Sequence, residues 1–152
     1  MDRRKVLLVE DSEHKRERVL AFLVETFPGL VVIEAHSFNS ACKLLDDSTF
    51  NLILMDMSLP TYDRSTQESG GRFRTFGGRE IARKVIRRSL DMQMVFLTQY
   101  DAFSANIESH TLQSLDSSLA RECGARYGGL IYYDSSKSAW KEQLERAIRN
   151  AT

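Results

Sequence analysis

Short apolar runs alternate along the chain with stretches of helical spacing. Residues 6–9 are continuously apolar, as expected of a strand covered on both faces. Ser12 is placed to cap a helix with apolar positions at Val19, Leu23 and Phe27, and Pro28-Gly29 ends it. Residues 30–33 read as a second strand. Ser37 or Asn39 opens a helix holding Phe38, Ala41, Cys42 and Leu45, and 52–55 form a third strand. Residues 79–88 are helical, with Ile81, Val85 and Ile86 on one side, and 94–97 are a fourth strand. A helical pattern over 103–123 runs through Ile107, Leu112, Leu115 and Leu119, with Gly124 as its stop. Residues 130–133 read as the fifth strand. Ser138 then caps a last helix whose buried side is Trp140, Leu144, Ala147 and Ile148.

Five strands alternating with five helices predict an α/β protein with a parallel sheet covered on both faces. Its crossovers are right-handed, and ligands bind such sheets outside the carboxyl ends of the strands. Two of the apolar runs end there in acids. The first strand runs into Glu10-Asp11 and the third into Asp56. If these strands are neighbours, three carboxylates share one pocket and resist ionising together. A hard divalent cation relieves that repulsion, and magnesium is the usual choice where one or two carboxylates meet a phosphate.

Bulk properties narrow the picture. A length of 152 residues suggests one domain, here 1–152. Lys plus Arg and Asp plus Glu both number 21, so no net field draws the chain to nucleic acid or membrane. Charge is uneven, however: residues 72–88 hold seven basic side chains and one acid, Glu80. That run suits an acidic partner or a nucleic acid, or is simply a solvated face. Cys42 and Cys123 match no zinc spacing and read as reduced thiols of a cytoplasmic protein. No apolar run spans a bilayer, and the N-terminus lacks a signal-peptide pattern. Two stretches exceed what the plan needs: a loop at 61–77 with paired glycines, and the region 101–123.

Taken in order, these pieces resemble the receiver domain of bacterial two-component response regulators. Val6-Leu7-Leu8-Val9-Glu10-Asp11-Ser12 is similar to the opening strand and acid pair. Leu52-Ile53-Leu54-Met55-Asp56-Met57-Ser58-Leu59-Pro60 is similar to the phosphoacceptor strand and its Leu-Pro turn. Gly78-Arg79-Glu80-Ile81 resembles the start of the third helix, and Val95-Phe96-Leu97-Thr98 the fourth strand with its terminal hydroxyl. The resemblance implies a flavodoxin-like (βα)5 fold with strand order 2-1-3-4-5. It implies Asp56 as phosphoacceptor, and magnesium held by Asp11, Asp56, the Ser58 backbone carbonyl and, through water, Glu10. Thr98 would hydrogen-bond one phosphoryl oxygen and Lys137 would pair with another, although Tyr133-Asp134-Ser135-Ser136 intervenes where the strand ordinarily runs straight into lysine. Tyr132 or Tyr133 would be the ring that follows the hydroxyl on switching. Ser58 and Tyr100 would flank the attacking water, and the bulk of Tyr100 would slow hydrolysis.

The expectation is a stand-alone signalling protein rather than an enzyme. It would be phosphorylated by a histidine kinase or phosphotransfer protein and pass the signal by contact with a downstream protein. Two other classes remain open. One is a pseudo-receiver that binds proteins without phosphorylation. The other is a magnesium-dependent α/β phosphatase or nuclease, which would carry a second acid two residues past the nucleophile, where Ser58 stands.

Overall fold

A computed structural model describes residues 3–64, 70–99 and 112–151. Its elements are β1 (Lys5–Val9), α1 (Glu13–Thr26), β2 (Val31–Ala35), α2 (Phe38–Asp47), β3 (Leu52–Met55), β4 (Leu59–Pro60) and β5 (Phe73–Arg74). They continue with α3 (Gly77–Arg87), β6 (Gln93–Thr98), α4 (Leu112–Cys123), a 3₁₀ turn (Gly124–Arg126), β7 (Tyr127–Tyr132) and α5 (Ala139–Asn150). Five of the strands form one parallel sheet in the order β2-β1-β3-β6-β7. Counting only its members, that is the expected order 2-1-3-4-5.

The period-2 geometry of the strands sorts their apolar runs into two cores. Leu7, Val9, Ile53, Met55, Met94 and Phe96 face one way, onto Ala41 and Leu45 of α2, Ile81 and Val85 of α3, and Leu115 and Leu119 of α4. Val6, Leu8, Leu52, Leu54, Val95 and Leu97 face the other, onto Val19 and Leu23 of α1 and Trp140, Leu144 and Ile148 of α5. The central strands are therefore buried on both sides, which is why they read as unbroken apolar runs rather than alternating ones.

Helix boundaries follow their local chemistry. Ser12 caps α1 by accepting from the Lys15 N–H, and Ser37 makes a reciprocal capping box with Ser40 at the start of α2. Ser138 occupies the corresponding place before α5, but its hydroxyl makes no capping bond. Gly124 ends α4 with φ 57°, a conformation that costs glycine little. The expected helical pattern over 103–123 is helix in its described part, α4; residues 100–111, Tyr100 among them, lie outside the described residues.

The 61–77 stretch holds a feature without apolar periodicity to announce it. β4 and β5 pair antiparallel, Leu59 with Arg74 and Pro60 with Phe73. The Thr61 N–H extends the pairing to the Arg72 carbonyl, and the Tyr62 N–H bonds the Gly70 carbonyl at 2.9 Å. This small ribbon leaves directly from the loop that follows β3 and returns directly into α3.

Candidate functional site

The register of the sheet builds the site. Val9 lies opposite Met55, so the residues that follow them, Glu10 and Asp56, leave adjacent strands side by side. The Asp56 N–H bonds the Val9 carbonyl at 3.2 Å and the Glu10 N–H bonds the Ala35 carbonyl at 3.0 Å, extending the ladders by one residue. Thr98 ends β6 on the other side of β3 and is buried. Its carbonyl accepts the Tyr133 N–H at 2.7 Å.

The acids differ in access. Glu10 is 3% exposed, whereas the Asp56 and Asp11 side chains are 12% and 16% exposed. One Asp56 oxygen, Oδ1, accepts the Met57 N–H at 2.7 Å, which fixes the carboxylate plane. Glu10 Oε2 accepts the Ser12 N–H at 3.0 Å. The half-exposed Arg64, reaching in from beyond β4, pairs with Asp11 at 3.2 Å.

A lysine that sequence reasoning left out occupies the centre. Lys15 is 2% exposed, and its ammonium lies 2.7 Å from Glu10 Oε1 and 3.2 Å from Asp56 Oδ2. It also donates to the Leu97 carbonyl at 2.7 Å and stands 5.4 Å from the centroid of the Tyr133 ring. Among the described residues Lys137 forms no ion pair with these acids. Its side chain is exposed, and its N–H closes a turn onto the Asp134 carbonyl. The physical reason is local: β7 ends at Tyr132, the next residue Tyr133 packs inward against Trp140, and the chain then turns outward through 134–137. Lys15 was detectable in principle. It falls four residues before Val19 and eight before Leu23, on the buried stripe of α1, where a lysine is out of keeping.

Burial dominates the electrostatics. It pushes Glu10 up to about 7, against the pull of Lys15 and with a further push from Asp56. Asp11 is raised for the same first reason, with Arg64 opposing and Asp56 adding to it. Burial also works against the Lys15 charge, but Asp56 and Glu10 outweigh it and leave its pKa above the ordinary lysine value. The ammonium therefore stays charged.

The donor set fits magnesium in one form only. Among the described residues no group of three or more His, Cys, Asp or Glu side chains is arranged around a common metal position. The Lys15 ammonium takes the place between Glu10 and Asp56 that a three-acid cage would need. Asp11 and Asp56 remain, both hard oxygen donors reachable from solvent, and the Asp56 charge helps to raise the proton affinity of Asp11. Two carboxylates completed by water and phosphate are an ordinary magnesium environment. Ser58 is buried beside them, its hydroxyl donating to the Thr75 carbonyl at 3.0 Å.

The two candidate switch rings separate. Tyr133 is buried, with its hydroxyl accepting from Arg18 at 2.9 Å, while Tyr132 is 39% exposed at the end of β7. The basic run at 72–88 is largely spent within the molecule. Arg79 and Arg83 pair with Glu122, Lys84 and Arg88 with Asp46, and Arg74 with Glu80, which accounts for five of its seven cations.

No family model matches the chain. It is 27% identical over 150 residues to the Detocs response regulatory protein DtcB of Enterobacter cloacae, covering 95% of this chain and 97% of that one. Among solved structures it superposes on the chemotaxis response regulator CheY4 of Vibrio cholerae with a TM-score of 0.65 at 18% identity, covering 99% and 100% of the two chains. The response regulator TrrA of Thermotoga maritima, solved in complex with Mg2+ and BeF, gives a TM-score of 0.59 at 17% identity, over 95% and 98%.

Proposed function

We propose that the chain is a receiver domain of the response-regulator family, which accepts a phosphoryl group on Asp56 in a magnesium-dependent phosphorelay and signals through protein contact. The observation that carries this reading is the placement of Asp56. It directly follows the central strand β3, is 12% exposed, and is flanked by Glu10 and Asp11, which follow β1, and by Thr98 at the end of β6.

An Asp56 carboxylate oxygen attacks phosphorus, and an aspartyl phosphate forms. The bond from phosphorus to the donor breaks with its electron pair going to the leaving group. From a phosphohistidine that group departs as neutral imidazole when its other nitrogen carries the proton. The Met57 N–H holds the attacking carboxylate in one orientation, so part of the alignment is present before the donor arrives. Asp11, Asp56, the Ser58 carbonyl and, through water, Glu10 would hold magnesium, which supplies charge neutralisation of the transferring group. Thr98, at the neighbouring strand end, would donate to a phosphoryl oxygen. The donor is a histidine kinase or phosphotransfer protein, and the recipient of the signal is a further protein.

Intact mass spectrometry after incubation with acetyl phosphate and magnesium tests the reading. A gain of one phosphate by the wild type, absent in Asp56→Asn, is expected. A protein that gains none is a phosphorylation-independent binding module, and steady turnover of phosphate esters would make it a phosphatase.

A further inference from the structure

Lys15 is a cation built into a core. Its position on α1 belongs to the stripe of Val19 and Leu23, where an apolar side chain would bury area at no electrostatic cost. Burying an ammonium instead is expensive unless each of its protons finds an acceptor. Here the count is complete: three N–H donors face Glu10 Oε1, Asp56 Oδ2 and the Leu97 carbonyl. Two of these three acceptors belong to the acidic site, and one of them is the proposed phosphoacceptor itself.

The surroundings hold Lys15 on this side of Asp56. The Tyr133 ring lies 5.4 Å from the ammonium, and Arg18, one turn further along α1, anchors the Tyr133 hydroxyl at 2.9 Å and the Ser135 carbonyl at 2.8 Å. The tyrosine that follows β7 thus fills the space in which a lysine from the same segment would have to run. Lys137, displaced beyond it, is exposed.

From this geometry, and on the premise that Asp56 is phosphorylated, we propose that Lys15 is the cation that pairs with the phosphoryl group on Asp56, so that α1 supplies the charge the family pattern assigns to the segment after the last strand. Transfer replaces the single negative charge of the Asp56 carboxylate by a phosphoryl group of higher charge at the same place. The ammonium, already 3.2 Å from Asp56 Oδ2, meets that charge without leaving the core. The structural alternative is that Lys15 merely neutralises Glu10.

The test follows phosphate gain from acetyl phosphate with magnesium, in the full chain, for wild type, Lys15→Met, Lys137→Met, Glu10→Gln and the double variant Glu10→Gln/Lys15→Met. In that reaction the bond between phosphorus and the acetate oxygen breaks and acetate leaves with the electron pair. Lys15→Met is expected to slow phosphate gain by roughly 100-fold, the scale on which loss of one positioned charge-stabilising donor acts. Lys137→Met is expected to match the wild type. Because Lys15→Met strands a buried carboxylate, it can fail to fold. The double variant removes both charges, and its comparison with Glu10→Gln then isolates Lys15. Fluorescence gives a second readout, since Trp140 is the chain's one tryptophan and its ring centroid lies 5.1 Å from that of Tyr133. Phosphorylation changes its emission in the wild type and in Glu10→Gln, and not in the double variant. A folded protein lacking Lys15 that gains phosphate at the rate of its parent overturns the assignment while leaving Asp56 as acceptor. So does a loss confined to Lys137→Met. A wild type that gains no phosphate at all overturns the acceptor reading and the role of Lys15 with it.

Discussion

Gly78 is where the fold and the site can be perturbed together. It is the second residue of α3, and its N–H donates to the Met57 carbonyl at 2.9 Å, binding the helix start to the loop that follows Asp56. A Cβ built on Gly78 lies 3.2 Å from both the Asp56 carbonyl carbon and Met57 Cα, and closer still to the Asp56 carbonyl oxygen. These are backbone atoms, so no side chain can rotate away. On helix propensity alone, Gly78→Ala would stabilise by up to about 1 kcal/mol. Against that stand an overpacking cost of about 1–3 kcal/mol and the loosening of a hydrogen bond with a net value of about 1 kcal/mol. The balance is a destabilisation of about 1–3 kcal/mol, read as a lower urea midpoint at unchanged slope. For a chain of this size it lowers Tm by roughly 5 °C. The same displacement reaches the Met57 N–H that orients Asp56 Oδ1, so phosphate gain slows as well. A Gly78→Ala protein as stable as the wild type would refute the contact argument.

Two further outcomes follow from the charges around the site. Arg64→Ala frees Asp11 from a competing, half-exposed ion pair worth at most about 1 kcal/mol, so magnesium affinity by calorimetry at low salt rises by no more than roughly fivefold; weaker binding would sink the idea that Arg64 competes for Asp11. In metal-free protein, Glu10 holds its proton to about 7 when folded, against an ordinary value of 4.5. The unfolded chain therefore releases that proton first, and stability falls as pH rises from 4.5 to about 7. The gap corresponds to about 3 kcal/mol, with Asp11 acting in the same direction. Urea midpoints at pH 5 and pH 7.5 should show the fall in the wild type and a smaller one in Glu10→Gln; a rise would contradict the assigned burial of Glu10.

What the sequence made legible depended on whether a residue's role was written in its neighbours. The apolar runs before Glu10 and Asp56 are continuous because both faces of β1 and β3 are covered, and the parallel pairing of these two strands brings the acids that follow them together. The position of Thr98 at a strand end was legible because it ends such a run too. The ribbon of β4 and β5 was not, because two-residue strands have no period to detect and their pairing rests on backbone bonds. Gly78 was visible as a letter in a pattern, but the reason for it, an approach between α3 and the Asp56 backbone that leaves no room for Cβ, is a property of packing.

Lys15 and Lys137 show where pattern and chemistry part. Distance along the chain to the last helix favoured Lys137, because a family pattern fixes a functional group by its place in the sequence. The site asks only that an ammonium reach Asp56 from within the core. β1 and β3 present their acids at one edge, and α1, which begins four residues after β1, passes directly over them. A lysine in the first turn of that helix thus comes within 3.2 Å of Asp56, while the residue that follows β7, Tyr133, is buried against Trp140. The requirement for a buried cation is set by the carboxylates, whereas the element that delivers it is set by which neighbour leaves room. Hence a helix-facing lysine in register with Val19 and Leu23 carried more information about this site than a lysine at the expected distance from the last helix.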